Sequence, residues 1–156
     1  MRLEYFVLID RIVELKIGDQ TIRTQATVPT NSTIFEGHFP GHPLMPGVLL
    51  IEAMAQTSGW LLIAMSRFTR IPLLAAVKDA KLRTFVTPGD VLSITAQIVH
   101  DGSGFAVTKA AITRDGKPVS SAELTLRLLE FPNPALRAGM EKTAAEIGFP
   151  METIHG

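Results

Sequence analysis

Glu52 sits in the run Leu49-Leu50-Ile51-Glu52-Ala53-Met54-Ala55, and a carboxylate in apolar surroundings must be paired or must hold its proton more tightly than usual. A carboxyl so tuned is what a general acid working near neutral pH requires. Gln56, one helical turn later, is placed to hold it. Upstream, His38 stands in Gly37-His38-Phe39-Pro40-Gly41-His42-Pro43, where glycines and prolines restrict the backbone, and an imidazole held there is suited to act as a general base. Between the two, Pro46-Gly47-Val48 reads as a helix start. Its first N–H groups have no partner inside the helix and lie at the positive end of the dipole, which suits a developing oxyanion. Gly47 lets a substrate carbonyl come close to the backbone. At about 1.5 Å of rise per residue, Glu52 lies roughly 7 to 8 Å along the axis from Gly47, within the span of one small substrate segment. Base, acid and oxyanion donors in a dry pocket suit removal or addition of a β-hydroxyl beside a thioester, whose carbonyl acidifies the α-carbon.

A metal site built on His38 and His42 would need both rings on one helical face, and Pro40, Gly41 and Pro43 forbid that helix. Glu36 or Glu52 could add a third ligand, but without the helix the spacing loses its meaning. No metal is expected.

These side chains need a frame. Residues 10–17 and 20–28 carry β-branched residues around Gly18-Asp19, which predicts a hairpin. The stretch from Pro29 to Pro46 is dense in breakers and predicts a loop with helix excluded through most of it. From Pro46 to about Arg67 good helix formers dominate and are apolar nearly all round, which predicts a long enclosed helix. Four strands are then expected at 73–86, 91–100, 104–114 and 118–129, set off by Pro88-Gly89-Asp90, Asp101-Gly102-Ser103-Gly104 and Asp115-Gly116-Lys117. The order implies an α+β fold in which an antiparallel sheet curls around one helix. After residue 130 an extension, 131–156, is expected to hold a short helix capped by Asn133, started by Pro134 and ended by Gly148, with Leu136, Met140 and Ile147 on one face and a frayed end from Met151.

Fifteen basic residues balance fifteen acidic ones, so no global charge draws the chain to nucleic acid or an anionic membrane. With no cysteine there is no disulfide framework and no thiol nucleophile. Glu4, Asp10, Arg11 and Glu14 interrupt the apolar N-terminus, and Glu52, Gln56, Thr57 and Ser58 interrupt the richest apolar stretch, so neither a signal peptide nor a membrane span is expected and a cytoplasmic location fits.

The segment Gly37 to Gln56, GHFPGHPLMPGVLLIEAMAQ, resembles the motif of bacterial β-hydroxyacyl-acyl-carrier-protein dehydratases of the FabZ type, and Val86 to Asp90, VTPGD, is similar to a second signature of that family. The resemblance runs from about Asp10 to Leu129. It implies a hotdog fold, no cofactor, and a hydro-lyase that converts a (3R)-3-hydroxyacyl chain on acyl carrier protein into the trans-2-enoyl chain, in fatty acid or lipid A acyl chain synthesis. It also implies a homodimer, assembling in some members as a trimer of dimers, in which His38 of one subunit meets Glu52 of the other. By the same likeness His38 and Glu52 are catalytic, and Gly47, Val48, Gln56, Phe39 and Pro46 bind substrate. Lys78, Lys81 and Arg83 are candidates for contact with the acidic carrier protein. The relatives that also isomerise carry aspartate where this chain has Glu52, which favours plain dehydration. The chain departs from the family at Leu82-Arg83-Thr84-Phe85, which lacks a usual basic residue and proline, and it has a single tyrosine, Tyr5, where members often carry aromatic gates. Other chemistries of the same fold are an acyl-coenzyme A hydratase, a thioesterase, and a non-catalytic acyl-carrier binding subunit.

Overall fold

The structure is a computed structural model and describes residues 1–152. Strands β1 (Arg11–Lys16) and β2 (Thr21–Thr27) form the expected hairpin, followed by a short helix α1 (Thr33–Gly37), the long helix α2 (Gly47–Met65), strands β3 (Arg70–Leu82), β4 (Val91–Asp101), β5 (Phe105–Arg114) and β6 (Lys117–Glu130), and helix α3 (Pro134–Glu146). All six strands make one antiparallel sheet in the order β1-β2-β4-β5-β6-β3.

Alternation along the central strands decides which face meets α2. Ile22, Thr24 and Ala26 of β2, Leu92, Ile94 and Ala96 of β4, Ala106, Thr108 and Ile112 of β5, and Leu124 and Leu126 of β6 are all buried, while the residues between them turn outward. Helix α2 lies against that inner face and is buried on most sides, from Leu50 through Ala64. It is long and apolar enough to cross a membrane by length and composition, yet most of it is enclosed by the fold. Two buried hydroxyl pairs register it on the sheet: Thr57 with Thr24 of β2 and Ser58 with Thr108 of β5, each at 2.8 Å.

Four details differ from the sequence reading. Helix α1 forms inside the stretch expected to be loop, because the breakers flank it and leave Thr33–Gly37 free of proline, with the Ser32 hydroxyl accepting from the Ile34 N–H at 3.2 Å. Strand β3 begins three residues before the expected 73 and stops at Leu82, so residues 83–86 leave the sheet. There the Val86 carbonyl accepts from the Met45 N–H at 2.7 Å. In α3, capped by Asn133 as expected, Leu136 is exposed and the buried face is made by Ala144 with the following Ile147 and Phe149. The fraying expected from Met151 does not hold for Met151 itself, which packs on the core; residues 153–156 lie outside the described residues.

Candidate active site

His38 is the C-cap of α1, its N–H bonded to the Ile34 carbonyl at 3.0 Å. Its carbonyl accepts from the Leu44 N–H at 2.9 Å, and its Nδ1 lies 2.8 Å from the Leu44 carbonyl oxygen. A carbonyl can only accept, so Nδ1 carries the hydrogen and Nε2 of the neutral ring is the free base. The Phe39 ring stacks on the imidazole with centroids 4.2 Å apart, and reciprocal backbone bonds between Phe39 and His42 close a turn in which no helix forms. The ring faces a cavity of about 510 Å³ bounded by Met45, Gly47, Leu50, Leu82, Arg83 and Phe85.

At the start of α2, Pro46 is the N-cap and its carbonyl accepts from the Leu49 and Leu50 N–H groups. No acceptor among the described residues meets the Gly47 or Val48 N–H. The side chain of Leu82 crosses so close to Gly47 that a Cβ there would lie 2.3 Å from its Cδ1. A side chain at position 47 would make the exposed tip of Leu82 move aside, whereas glycine leaves the backbone open to a ligand.

Glu52 is half-buried and faces a second cavity, of about 450 Å³, walled by Tyr5 and Phe6, by α2, by Pro72 to Leu74 of β3 and by α3. Burial pushes its carboxyl above the ordinary 4.5, opposed in part by the hydrogen bond from Gln56. Gln56 has no freedom to flip: its Oε1 accepts from the Leu8 N–H at 3.1 Å, so its Nε2 donates to the Phe6 carbonyl at 2.9 Å and to Glu52 Oε1 at 3.3 Å. The N-terminal segment is thus fastened to the residue that orients the acid.

Within one chain, then, His38 and Glu52 open into different cavities. Phe39 and Gly47 accompany His38, Gln56 accompanies Glu52, and Val48 is exposed between them. Of the three basic candidates only Arg83 borders the His38 cavity. Lys78 lies 4.0 Å from Glu123, and Lys81 lines a separate cavity of about 690 Å³ together with Arg23, Asp79 and Lys109. Among the described residues no group of three or more His, Asp or Glu side chains gathers as a metal site.

Two parts of the site escaped the sequence reading. Gly59, Trp60 and Ile63 continue the stripe of Glu52 and Gln56 on α2 along the second cavity, a helical spacing that was visible but blended into an apolar run. Arg114 was the other. It donates to Asp90 Oδ2 at 2.6 Å and to the Phe85 carbonyl at 2.9 Å, while Asp90 also accepts from the Thr87 N–H. The VTPGD turn and Arg114 together pin the 83–86 segment that walls the His38 cavity.

A model of the FabA-like domain matches residues 2–123. The 3-hydroxyacyl-[acyl-carrier-protein] dehydratase FabZ of Clostridium acetobutylicum is 38% identical over 124 residues, covering 79% of this chain and 87% of that protein. The FabZ of Latilactobacillus sakei is 40% identical over 120 residues, 76% of this chain and 85% of that one. Among solved structures, the dehydratase heterocomplex ApeI:P from Xenorhabdus doucetiae aligns with a TM-score of 0.64 at 18% identity, over 86% of this chain and 89% of the other. A hypothetical thioesterase from Streptococcus pneumoniae with coenzyme A aligns at 0.61 and 20% identity, over 79% and 88%. At such identities these two speak for the architecture alone, an α+β hotdog fold of six antiparallel strands around a central helix. The sequence relatives and the matched domain place the chain further: it belongs to the FabA-like family, among relatives that are FabZ dehydratases.

Proposed function

We propose that this chain is a (3R)-3-hydroxyacyl-acyl-carrier-protein dehydratase, a hydro-lyase that forms the trans-2-enoyl thioester and water. The observation that carries the reading is Glu52, a half-buried carboxyl with a raised pKa at the polar end of an otherwise largely apolar cavity, in a chain whose relatives are FabZ dehydratases. His38 Nε2 removes the α-proton, the electron pair of that C–H bond becomes the C2=C3 double bond, and the C3–O bond breaks as Glu52 gives its proton to the departing hydroxyl. The unpartnered N–H groups of Gly47 and Val48 hold the charge that gathers on the thioester oxygen.

Because His38 and Glu52 face separate cavities in one chain, the reaction needs a second copy, with His38 of one subunit completing the cavity of Glu52 in the other. The edge strand β3 is the surface that supports such pairing: among the described residues its outer rail has no partner, and Leu73, Leu74, Val77 and Leu82 are all at least 40% exposed. Arg83, beside the His38 cavity, is placed to meet the phosphate of a phosphopantetheine arm. Acyl carrier protein as the partner, and a cytoplasmic location, follow from this reading.

The test is to supply 3-hydroxyacyl thioesters on acyl carrier protein and on coenzyme A, following enoyl absorbance and free thiol together. Enoyl formation without thiol is expected, abolished by His38→Ala and by Glu52→Gln, with losses of about 10²- to 10⁴-fold in kcat while the circular dichroism is retained. Thiol release without enoyl turnover would make the protein a thioesterase.

A further inference from the structure

The cavity at Glu52 is graded along its length. Its lining on α2 runs through Glu52, Gln56, Gly59, Trp60 and Ile63, and the eleven helical steps from first to last cover about 16 Å of helix axis. Carboxyl and carboxamide lie at one end; beyond Gly59, Trp60, Ile63, Pro72 and Leu126 offer hydrocarbon and ring surface. Such a gradient fits a ligand with a polar reacting end and an apolar tail. Part of the wall comes from outside the region shared with the family. The match to the FabA-like domain ends at residue 123, while Met140, Thr143 and Ile147 of the C-terminal extension, spaced to share one face of α3 and its cap, line the same cavity.

Helix α3 is fixed in place. The Ile147 carbonyl accepts from the Ile12 N–H of β1 at 2.8 Å, Ala144, Ile147 and Phe149 are buried, and the Phe149 ring lies 5.8 Å from Trp60 and 5.6 Å from Phe68. Ile147 is committed to that packing; Met140 and Thr143 are only partly covered. The Thr143 hydroxyl already donates to the Gly139 carbonyl at 3.2 Å.

We infer that the C-terminal extension limits the length of the acyl chain this protein accepts, with Met140 and Thr143 as the residues that set the limit. The inference rests on the dehydratase reading for its substrate, but its physical content is the depth of an apolar cavity. Because Met140 is unbranched and flexible, the boundary it makes is soft, and acceptance tapers with length instead of stopping at one carbon count.

The test uses full-length protein with Met140→Ala, Met140→Phe and Thr143→Leu. Two quantities are read across a graded series of chain lengths: kcat/KM on 3-hydroxyacyl thioesters, and binding of saturated acyl-pantetheines followed by the fluorescence of Trp60, the only tryptophan and itself part of the cavity wall. For Met140→Phe and Thr143→Leu the ratio of long-chain to short-chain kcat/KM should fall by about 4-fold for each methylene excluded. Met140→Ala should move the ratio the other way, and the fluorescence-derived affinities should shift in parallel. Length profiles in all three variants that superpose on the wild type would overturn the inference even if the enzyme is an active dehydratase. Shifted binding profiles in a protein that turns over no hydroxyacyl thioester would uphold it and sink the dehydratase reading instead.

Discussion

At the scale of single residues, the acid is tuned by two opposed effects, burial raising the pKa of Glu52 and the Gln56 hydrogen bond lowering it. If Glu52 works in its protonated form, kcat falls as pH rises through that raised pKa. Gln56→Met removes the bond that favours the anion, so the pKa rises further and the basic limb of the kcat profile should move to higher pH; a limb that moves down or stays put contradicts the assignment. Glu4 shows the reverse sign. Hydrogen bonds from Ser32 Oγ, the Thr33 N–H and Thr33 Oγ1 hold its carboxyl at about 2 instead of 4.5. A depressed carboxyl contributes stability above its unfolded value and loses it as pH falls through the folded one, so thermal scans should show Glu4→Gln losing less stability than wild type between about pH 4.5 and 2. Glu52 and Gln56 were legible in the sequence because polar side chains in an apolar run demand a reason. Tyr5 and Phe6 were not. They reach the cavity only because a 3₁₀ turn at Leu3–Tyr5 ends on Phe6 in the left-handed region and folds the N-terminus back over α2, which no local pattern announces.

Among the elements, α2 owes its register to the hydroxyl pairs as much as to its apolar surface. Thr57→Val leaves the buried Thr24 hydroxyl without its partner and should cost about 1 to 3 kcal/mol in chemical unfolding, whereas Thr24→Val combined with Thr57→Val should cost less than the sum of the two single changes. Helices and strands with strong punctuation were readable: α2 between Pro46 and Ser66, and the meander of β4 to β6 between its glycine turns. The misjudged boundaries share a cause. Helix α1 depends on the Ser32 cap and on burial of Phe35, and β3 ends at Leu82 because the next residues are claimed by Arg114 and Met45 from elsewhere in the chain. Tertiary partners that lie far away in sequence decide such limits.

For the molecule as a whole, the proposed dimer predicts that stability and activity both depend on protein concentration. Thermal midpoints should rise with concentration, and Leu74→Lys on the exposed rail of β3 should shift sedimentation toward the monomer and lower specific activity together; an active monomer would exclude a site shared between copies. The edges of the sheet are treated unequally. At β1 the Ile147 carbonyl caps the Ile12 N–H, but β3, thirteen residues long, has no partner on its outer edge among the described residues of a lone chain. Pro72 offers no N–H there and Asp79 sits at a φ of 53°, so the rail is blunted at two points and the free run is short, about residues 73–77. A newly made copy therefore carries a small adhesive window that an identical copy can close and a misfolded neighbour can also seize. Recovery of soluble protein should hinge on how fast copies find each other during synthesis, with Pro72 and Asp79 as the gatekeepers that buy them time.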